Sequence, residues 1–298
     1  MKILITGSTG LLGQALIKLL AQHPDVVGVS RHPALVPSLG RHRVCDLAEA
    51  EPTQRLLQAE QPALIIHAQA LSNVDEAEQD PALARRMNVE ATAHLARAIQ
   101  QTDTVLLYVS TDYVFDGAKG RPYVESDAPH PISVYGRSKL EGEQAALRHS
   151  RAIVARPSTL FGAGRMNFCH QVAERLRAHQ PVEAFRDQVT SPTFTDDLAA
   201  ELIRLGEAAV ARHEGFTPRI YHLANAGACS RLAFAQRIAA LMGCDPTLVH
   251  AIPMAALQRP APRPAYSALA TEHETTGRSL RSWDEALIAY LRQQRWLN

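Results

Sequence analysis

Short apolar runs separated by amphipathic stretches recur along the first half of the chain. Lys2-Ile-Leu-Ile-Thr6 predicts a buried strand, and Leu12, Leu16, Leu19 and Leu20 then recur with helical spacing. Val26–Ser30 predicts a second strand, Arg43–Leu47 a short third one ending at Asp46, and Pro52–Glu60 a helix. Ala63–Ala70 reads as an apolar strand running into a turn of small residues, and Pro81 opens a long helix through about Gln101. Thr104–Ser110 and Ala152–Arg156 are further buried strands, with a helix over Ser133–Glu143 between them. Strands buried on both faces and alternating with helices imply a parallel sheet covered on both sides. The expected fold class is α/β, a Rossmann-like doubly wound parallel sheet.

Past residue 157 the alternation loosens. Helices are expected over Asn167–His179, from Thr195 as N-cap to about Ala211, from Ser230 to Met242, and from Ser282 to about Gln293. Ile220–Ala224 reads as a strand, and Gln258–Pro264 as a rigid proline-rich loop. The organisation expected is a dinucleotide-binding domain at 1–157 and a smaller, partly interleaved C-terminal substrate domain at 158–298, with segments such as 190–225 returning to the first.

Composition changes this picture little. Among 298 residues, 46% are hydrophobic and 20% charged, the balance of an ordinary globular protein. Thirty-one basic and 30 acidic side chains leave a formal charge of +1, so no bulk field draws the chain to nucleic acid or to an anionic membrane. Cys45, Cys169, Cys229 and Cys244 are far apart and form neither a disulfide framework nor a zinc site. His67 and His94 lie in apolar or helical runs and read as structural, so no metal is expected. No apolar run is long enough to span a membrane, and the opening residues are broken too soon for a signal peptide; a reduced, cytoplasmic protein is the expectation.

Chemistry enters with Gly7-Ser-Thr-Gly-Leu-Leu-Gly13, between the first strand and its helix. Glycines let backbone approach a pyrophosphate, and the helix N-terminus offers it free N–H groups. The spacing G-x-x-G-x-x-G differs from the commoner G-x-G-x-x-G. The second strand ends Ser30-Arg31, without the carboxylate that would hold a ribose 2′-hydroxyl. A hydroxyl and a guanidinium suit a 2′-phosphate, which favours NADPH over NADH; a solvated Arg31 with both cofactors accepted is the alternative. The turn Ala68-Gln69-Ala70 and the strand end Ser110-Thr111-Asp112-Tyr113 fall at the ligand-binding edge of such a sheet. Tyr135 and Lys139 share one helical face. A neighbouring ammonium lowers a phenol pKa, so the pair is expected to move a proton near neutral pH, with Thr111 polarising a carbonyl.

The segments GSTGLLG (Gly7–Gly13), NVDEAE (Asn73–Glu78), NVEAT (Asn88–Thr92), STDYVFDG (Ser110–Gly117), VYGRSKLEGE (Val134–Glu143) and SPTFTDDLA (Ser191–Ala199) together resemble the extended short-chain dehydrogenase/reductases, most of all the dTDP-4-dehydrorhamnose reductase branch. The resemblance runs nearly end to end. It implies hydride transfer from a reduced nicotinamide to the C4 ketone of a nucleotide-linked deoxysugar, with dTDP-4-dehydro-L-rhamnose the first candidate. It implies Thr111, Tyr135 and Lys139 as the catalytic set. Gly7, Thr9, Gly10, Leu11, Leu12 and Gly13 are implied at the pyrophosphate, Ala68, Gln69 and Ala70 beside the cofactor, and Asp46 and Leu47 near the adenine. Ser110, Asp112, Tyr113, Thr159, Asn167 and Arg263 are implied at the substrate. Thr159 stands where the branch often carries a Trp, which leaves other deoxysugar nucleotides open. The same fold also serves a non-catalytic regulatory subunit, as in the methionine adenosyltransferase β subunit, and sugar-nucleotide epimerases and dehydratases. A monomer or homodimer is implied.

Overall fold

The structure, a computed structural model, describes residues 1–33, 41–212, 219–272 and 280–297. In the first half the elements are β1 (Ile3–Thr6), α1 (Leu11–Leu19), β2 (Val26–Ser30), β3 (His42–Val44), α2 (Ala50–Glu60), β4 (Leu64–His67), α3 (Val74–Gln79), α4 (Pro81–Arg85), α5 (Ala91–Ala98), β5 (Val105–Val109), α6 (Val134–Ala146) and β6 (Ala152–Arg156). The second half carries β7 (Leu160–Phe161), α7 (Phe168–Arg177), β8 (Val182–Phe185), β9 (Val189–Thr190), β10 (Thr193–Phe194), α8 (Thr195–Ala211), β11 (Arg219–His222), β12 (Cys229–Ser230), α9 (Arg231–Met242), β13 (Val249–Ile252) and α10 (Trp283–Gln293).

Seven strands form one parallel sheet in the order β11-β6-β5-β4-β1-β2-β3. Side chains alternate across it. Ile3, Ile5, Leu64, Ile66, Val105 and Leu107 pack with α1 and α8 on one face. Leu4, Ile65, Leu106 and Tyr108 pack with α2 and α5 on the other. The reversal of strand order falls between β1 and β4, so a crevice opens at their carboxyl ends, where doubly wound sheets bind ligands. A second core, built from α7, α9, α10 and the paired β8 and β13, forms the smaller lobe. The chain returns from that lobe to the sheet through α8, which packs on α1, and β11, which pairs with β6; residues 213–218 of the returning segment lie outside those described.

Several elements differ from expectation. The helix from Pro81 is α4, a π-helical turn at Arg86–Glu90, then α5. Pro81 starts it as the sequence implies, and Asp80 caps it. The wider turn is fixed by contacts distant in sequence: Asn88, buried within it, accepts from the Leu71 N–H at 2.8 Å and donates to the Ser138 hydroxyl at 2.9 Å. The third strand is shorter than expected and leaves Asp46 beyond its end. Thr195 is not a cap but the first residue of α8; a Cβ on Gly162 would come within 1.9 Å of its hydroxyl.

Candidate active site

The chain leaves β1 through Gly7, whose φ of +67° is left-handed. A Cβ on Gly7 would lie 2.8 Å from Gln69 Cα, and one on Gly13 only 2.1 Å from the Gly7 carbonyl oxygen. Gly10 occupies the cap position of α1 and offers no side chain to it. The N–H groups of Leu11, Leu12 and Gly13 therefore have no acceptor inside the helix, and the positive end of its dipole faces the loop. Thr9 accepts the Gln14 amide through its carbonyl at 3.0 Å, which ties the loop to the helix. Across the crevice, Ala68-Gln69-Ala70 leaves β4. The Gln69 N–H donates to Thr6 Oγ1 at 3.3 Å, while its buried carboxamide has no partner at either atom among the described residues. A close glycine cradle, a bare helix N-terminus and an unpaired buried amide fit a dinucleotide pyrophosphate and its ribose.

At the end of β2, Ser30 does not present a free hydroxyl. It donates to the His32 carbonyl at 2.6 Å and meets His42 Nε2 at 2.9 Å. Arg31 is exposed and, among the described residues, makes only a long contact to Met87 sulfur, which leaves its guanidinium available for a 2′-phosphate. Asp46 binds Arg86 at 2.9 Å and caps the Ala48 N–H at 3.1 Å. The Leu47 side chain is sealed in the core, and its carbonyl meets Thr53 and His94.

Thr111, at the carboxyl edge of β5, is buried; its hydroxyl donates to Asp112 Oδ1 at 3.1 Å and accepts from the Tyr113 N–H at 3.2 Å. Ser133 caps α6 through the Gly136 N–H, and a Cβ on Gly136 would lie 2.2 Å from the Tyr113 carbonyl. The helix thus lies close against this edge, with the Tyr135 ring edge-on to Tyr113 at 5.7 Å. Lys139 is buried, donates to the Val109 carbonyl at 2.7 Å and stands 4.2 Å over the Tyr108 ring.

The electrostatics correct one expectation. Burial pushes the Tyr135 phenol above its ordinary pKa; the Asp112 and Tyr113 charges push the same way, and only the Thr111 hydroxyl opposes them. Burial brings Lys139 down to about 7, against a raising effect of Glu143. Burial thus favours the neutral phenol at Tyr135 and works against its ionisation near neutrality.

Behind this set lies a buried ion pair that the sequence did not single out. Glu143, one turn beyond Lys139, takes Arg156 Nε at 2.8 Å, Arg156 Nη2 at 2.7 Å and the Ser110 hydroxyl at 2.5 Å. Asp112 is a second hub, accepting from Thr111, from Ser158 at 2.8 Å and from Ser267 at 2.5 Å. Both Ser110 and Asp112 are thus committed to neighbours within the protein and shape the edge on which Thr111 stands.

The smaller lobe holds a cavity of about 600 Å³. Arg231 stacks 4.7 Å over Phe168 in its wall and Arg259 stands 4.6 Å over Phe185, neither with a carboxylate partner among the described contacts. Gln188 lines it too and reaches the Tyr113 hydroxyl at 3.4 Å, so this wall abuts the Tyr113–Tyr135 pair. Each arginine is isolated in sequence, and only the fold gathers them. Asn167 caps α7 and gives both amide hydrogens to the Gly162 and Arg165 carbonyls, holding the 162–167 turn. Arg263 forms a two-point ion pair with Asp75 at 2.8 and 2.6 Å, which joins the proline-rich loop to the start of α3. Thr159 lies between Ser158 and β7 with φ of +35°, a strained conformation for a β-branched residue.

Fold and site together define a Rossmann-like α/β protein of the short-chain dehydrogenase/reductase kind. The chain belongs to the RmlD substrate binding domain family, which matches residues 1–295. A dTDP-4-dehydrorhamnose reductase of Streptomyces griseus is 38% identical over 289 residues, spanning 95% of this chain and 91% of that protein. A Streptomyces antibioticus protein described as a probable dTDP-4,6-dihydroxy-2-methyloxan-3-one 4-ketoreductase is 36% identical over 291 residues, 96% and 93% of the two chains. The structure of dTDP-4-dehydrorhamnose reductase from Bacillus anthracis in complex with NADP matches with a TM-score of 0.87 at 28% identity, covering 98% of this chain and 100% of that one.

Proposed function

We propose that this protein is an NADPH-preferring reductase of the C4 ketone of a nucleotide-activated deoxysugar, with dTDP-4-dehydro-L-rhamnose as the substrate to test first. The observation that carries the reading is Tyr135, held protonated beside Thr111 and Lys139, between a glycine cradle and an arginine-lined cavity. NADPH supplies the hydride. Tyr135 gives its phenolic proton to the oxygen that was the ketone, and Thr111, turning its hydroxyl hydrogen from Asp112 to that oxygen, holds it by a hydrogen bond. Lys139, as the ammonium, stabilises the tyrosinate left behind and binds the nicotinamide ribose. Arg231 and Arg259 meet the diphosphate, their stems and the rings of Phe168 and Phe185 supplying apolar surface for the base and sugar. In this reading residues 1–157 bind the dinucleotide and most of 158–298 the sugar nucleotide.

The decisive assay mixes purified protein, NADPH and dTDP-4-dehydro-L-rhamnose and follows loss of the reduced-nicotinamide absorbance. Consumption supports the reductase. Binding of NADPH without turnover of this or related keto-sugars overturns it in favour of a binding module. The glycine cradle gives an independent check. Gly13→Ala forces its Cβ against the Gly7 carbonyl, an overpacking worth about 1–3 kcal/mol, and is expected to lower the melting temperature and weaken NADPH binding together. Wild-type values for both would remove the loop from the site.

A further inference from the structure

The cavity wall that abuts the Tyr113–Tyr135 pair is set by two short strands. β9 and β12 run antiparallel with Val189 opposite Ser230, and one step further the Arg231 N–H donates to the Gln188 carbonyl at 3.1 Å. Residues facing each other across such a pair project to the same side, and both of these line the cavity. Arg231 turns onto Phe168, while Gln188 reaches towards Tyr113. The Gln188 amide is thus held between the cavity arginines and the ring that stands edge-on to Tyr135.

Gln188 is only 3% exposed, yet one end of its amide is unused by the protein. Nε2 donates to the Tyr113 hydroxyl at 3.4 Å, and no described residue donates to Oε1. The Tyr113 hydroxyl, accepting from Gln188, has no acceptor for its own hydrogen among the described residues. A buried acceptor without a donor costs free energy, which a ligand group of the right kind recovers. Side by side stand one free acceptor and one free donor. A hydroxyl satisfies both at once; an ether oxygen satisfies only the donor, and a methyl group neither.

In a 4-keto-pyranose the C4 carbonyl and the C1 diphosphate lie at opposite ends of the ring. With the first at Tyr135 and the second at Arg231 and Arg259, the Gln188 wall flanks one of the two edges that join them. One edge carries C2 and C3 with their hydroxyls. The other carries the ring oxygen and C5, with the methyl of a 6-deoxy sugar. The donor–acceptor pair matches the first edge. We propose that Gln188 is a specificity-determining residue that takes a hydroxyl on the C2–C3 edge of the sugar, Oε1 accepting from it while the Tyr113 hydroxyl donates to it. The substrate class is then the keto-sugars that keep this hydroxyl. The proposal rests on the reductase reading above and deepens it by stating which deoxysugars the site rejects.

The test compares kcat/KM with NADPH for dTDP-4-dehydro-L-rhamnose and for its 2-deoxy and 3-deoxy analogues in wild type, Gln188→Met and Gln188→Asn. Binding of the three corresponding reduced sugar nucleotides is titrated alongside. Wild type is expected to prefer the hydroxylated sugar over at least one analogue by about 10–100-fold, the size of one to two hydrogen bonds. Both variants are expected to shrink that preference about tenfold, chiefly by losing rate on the hydroxylated sugar. The preference is a ratio within one protein, so a loss of folded material, which lowers every rate together, does not move it. Gln188→Asn, which draws the amide back by one carbon, carries the test where Gln188→Met folds poorly. A preference within about twofold of wild type in both variants overturns the proposal, and so does a wild type that takes all three sugars equally. A wild type that turns over none of them, yet binds the hydroxylated product more tightly by a margin the variants lose, overturns the reductase reading and supports the role of Gln188. One that binds none of the sugar nucleotides overturns both.

Discussion

Tyr135→Phe is expected to lower turnover by about 10²–10⁴-fold while leaving NADPH affinity near wild type. The substitution deletes one hydroxyl and keeps the ring that stands edge-on to Tyr113, so the packing of α6 against the strand end survives. What is lost is the proton donor. Burial and the Asp112 charge hold that phenol in its protonated form, so its own ionisation does not limit the reaction across the neutral range. The alkaline limb of the pH–rate profile is therefore assigned to Lys139, which burial brings to about 7. As pH rises through that value the ammonium is lost, and with it the charge that stabilises the tyrosinate; turnover is expected to fall on that side. Lys139→Met should flatten this limb as well as reduce turnover. Kinetics from about pH 6 to about pH 9 read both effects. A Phe variant that turns over at the wild-type rate removes Tyr135 from the chemistry, and a limb that persists in Lys139→Met moves the ionisation to another group.

What the sequence made legible divides by range. The central sheet was readable because each strand is an apolar run buried on both faces, and because the glycine turn follows β1 at once. Tyr135 and Lys139 were readable because helical spacing alone puts them on one face. The π-helical turn at Arg86–Glu90 was not, because its cause is Asn88 reaching both Leu71 and Ser138, contacts absent from any local pattern. The two-residue strands of the smaller lobe are too short to show periodicity. Arg263 was implied at the substrate by the resemblance alone, and the fold supplies Asp75 to it; Arg231 and Arg259 gave no signal and prove to be the ones stacked on rings in the cavity wall. The sign of the Tyr135 shift was out of reach for the same reason. It depends on burial and on Asp112, which enters as a charge only once β5 and α6 are packed together.

Glu143→Ala is expected to be the most destabilising single substitution near the site, at about 3–5 kcal/mol, because it leaves the Arg156 guanidinium buried without its acid. Both side chains are almost fully buried, and the pair joins three elements: α6 through Glu143, β6 through Arg156, and the end of β5 through Ser110. His222 extends it. Its Nδ1 faces the Tyr123 and Ala270 carbonyls at 3.1 and 2.9 Å and so carries the proton, which leaves Nε2 to accept from Arg156 at 3.5 Å. Pinning α6 there sets where Tyr135 and Lys139 stand relative to Thr111. Glu143→Gln separates charge from position, since the amide oxygen still accepts from Ser110 or Arg156 while the anion that raises the Lys139 pKa is gone. Its alkaline limb is expected to move to lower pH, because the ammonium then loses its proton sooner. Pairing Glu143→Ala with Arg156→Leu is expected to recover part of the lost stability, as the unpaired cation is removed, without recovering the position of that limb. Thermal melts of the four proteins and their pH–rate profiles decide the matter: if Glu143→Ala melts with wild type the ion pair does not hold the helix, and if Glu143→Gln leaves the limb where it was it does not tune the lysine.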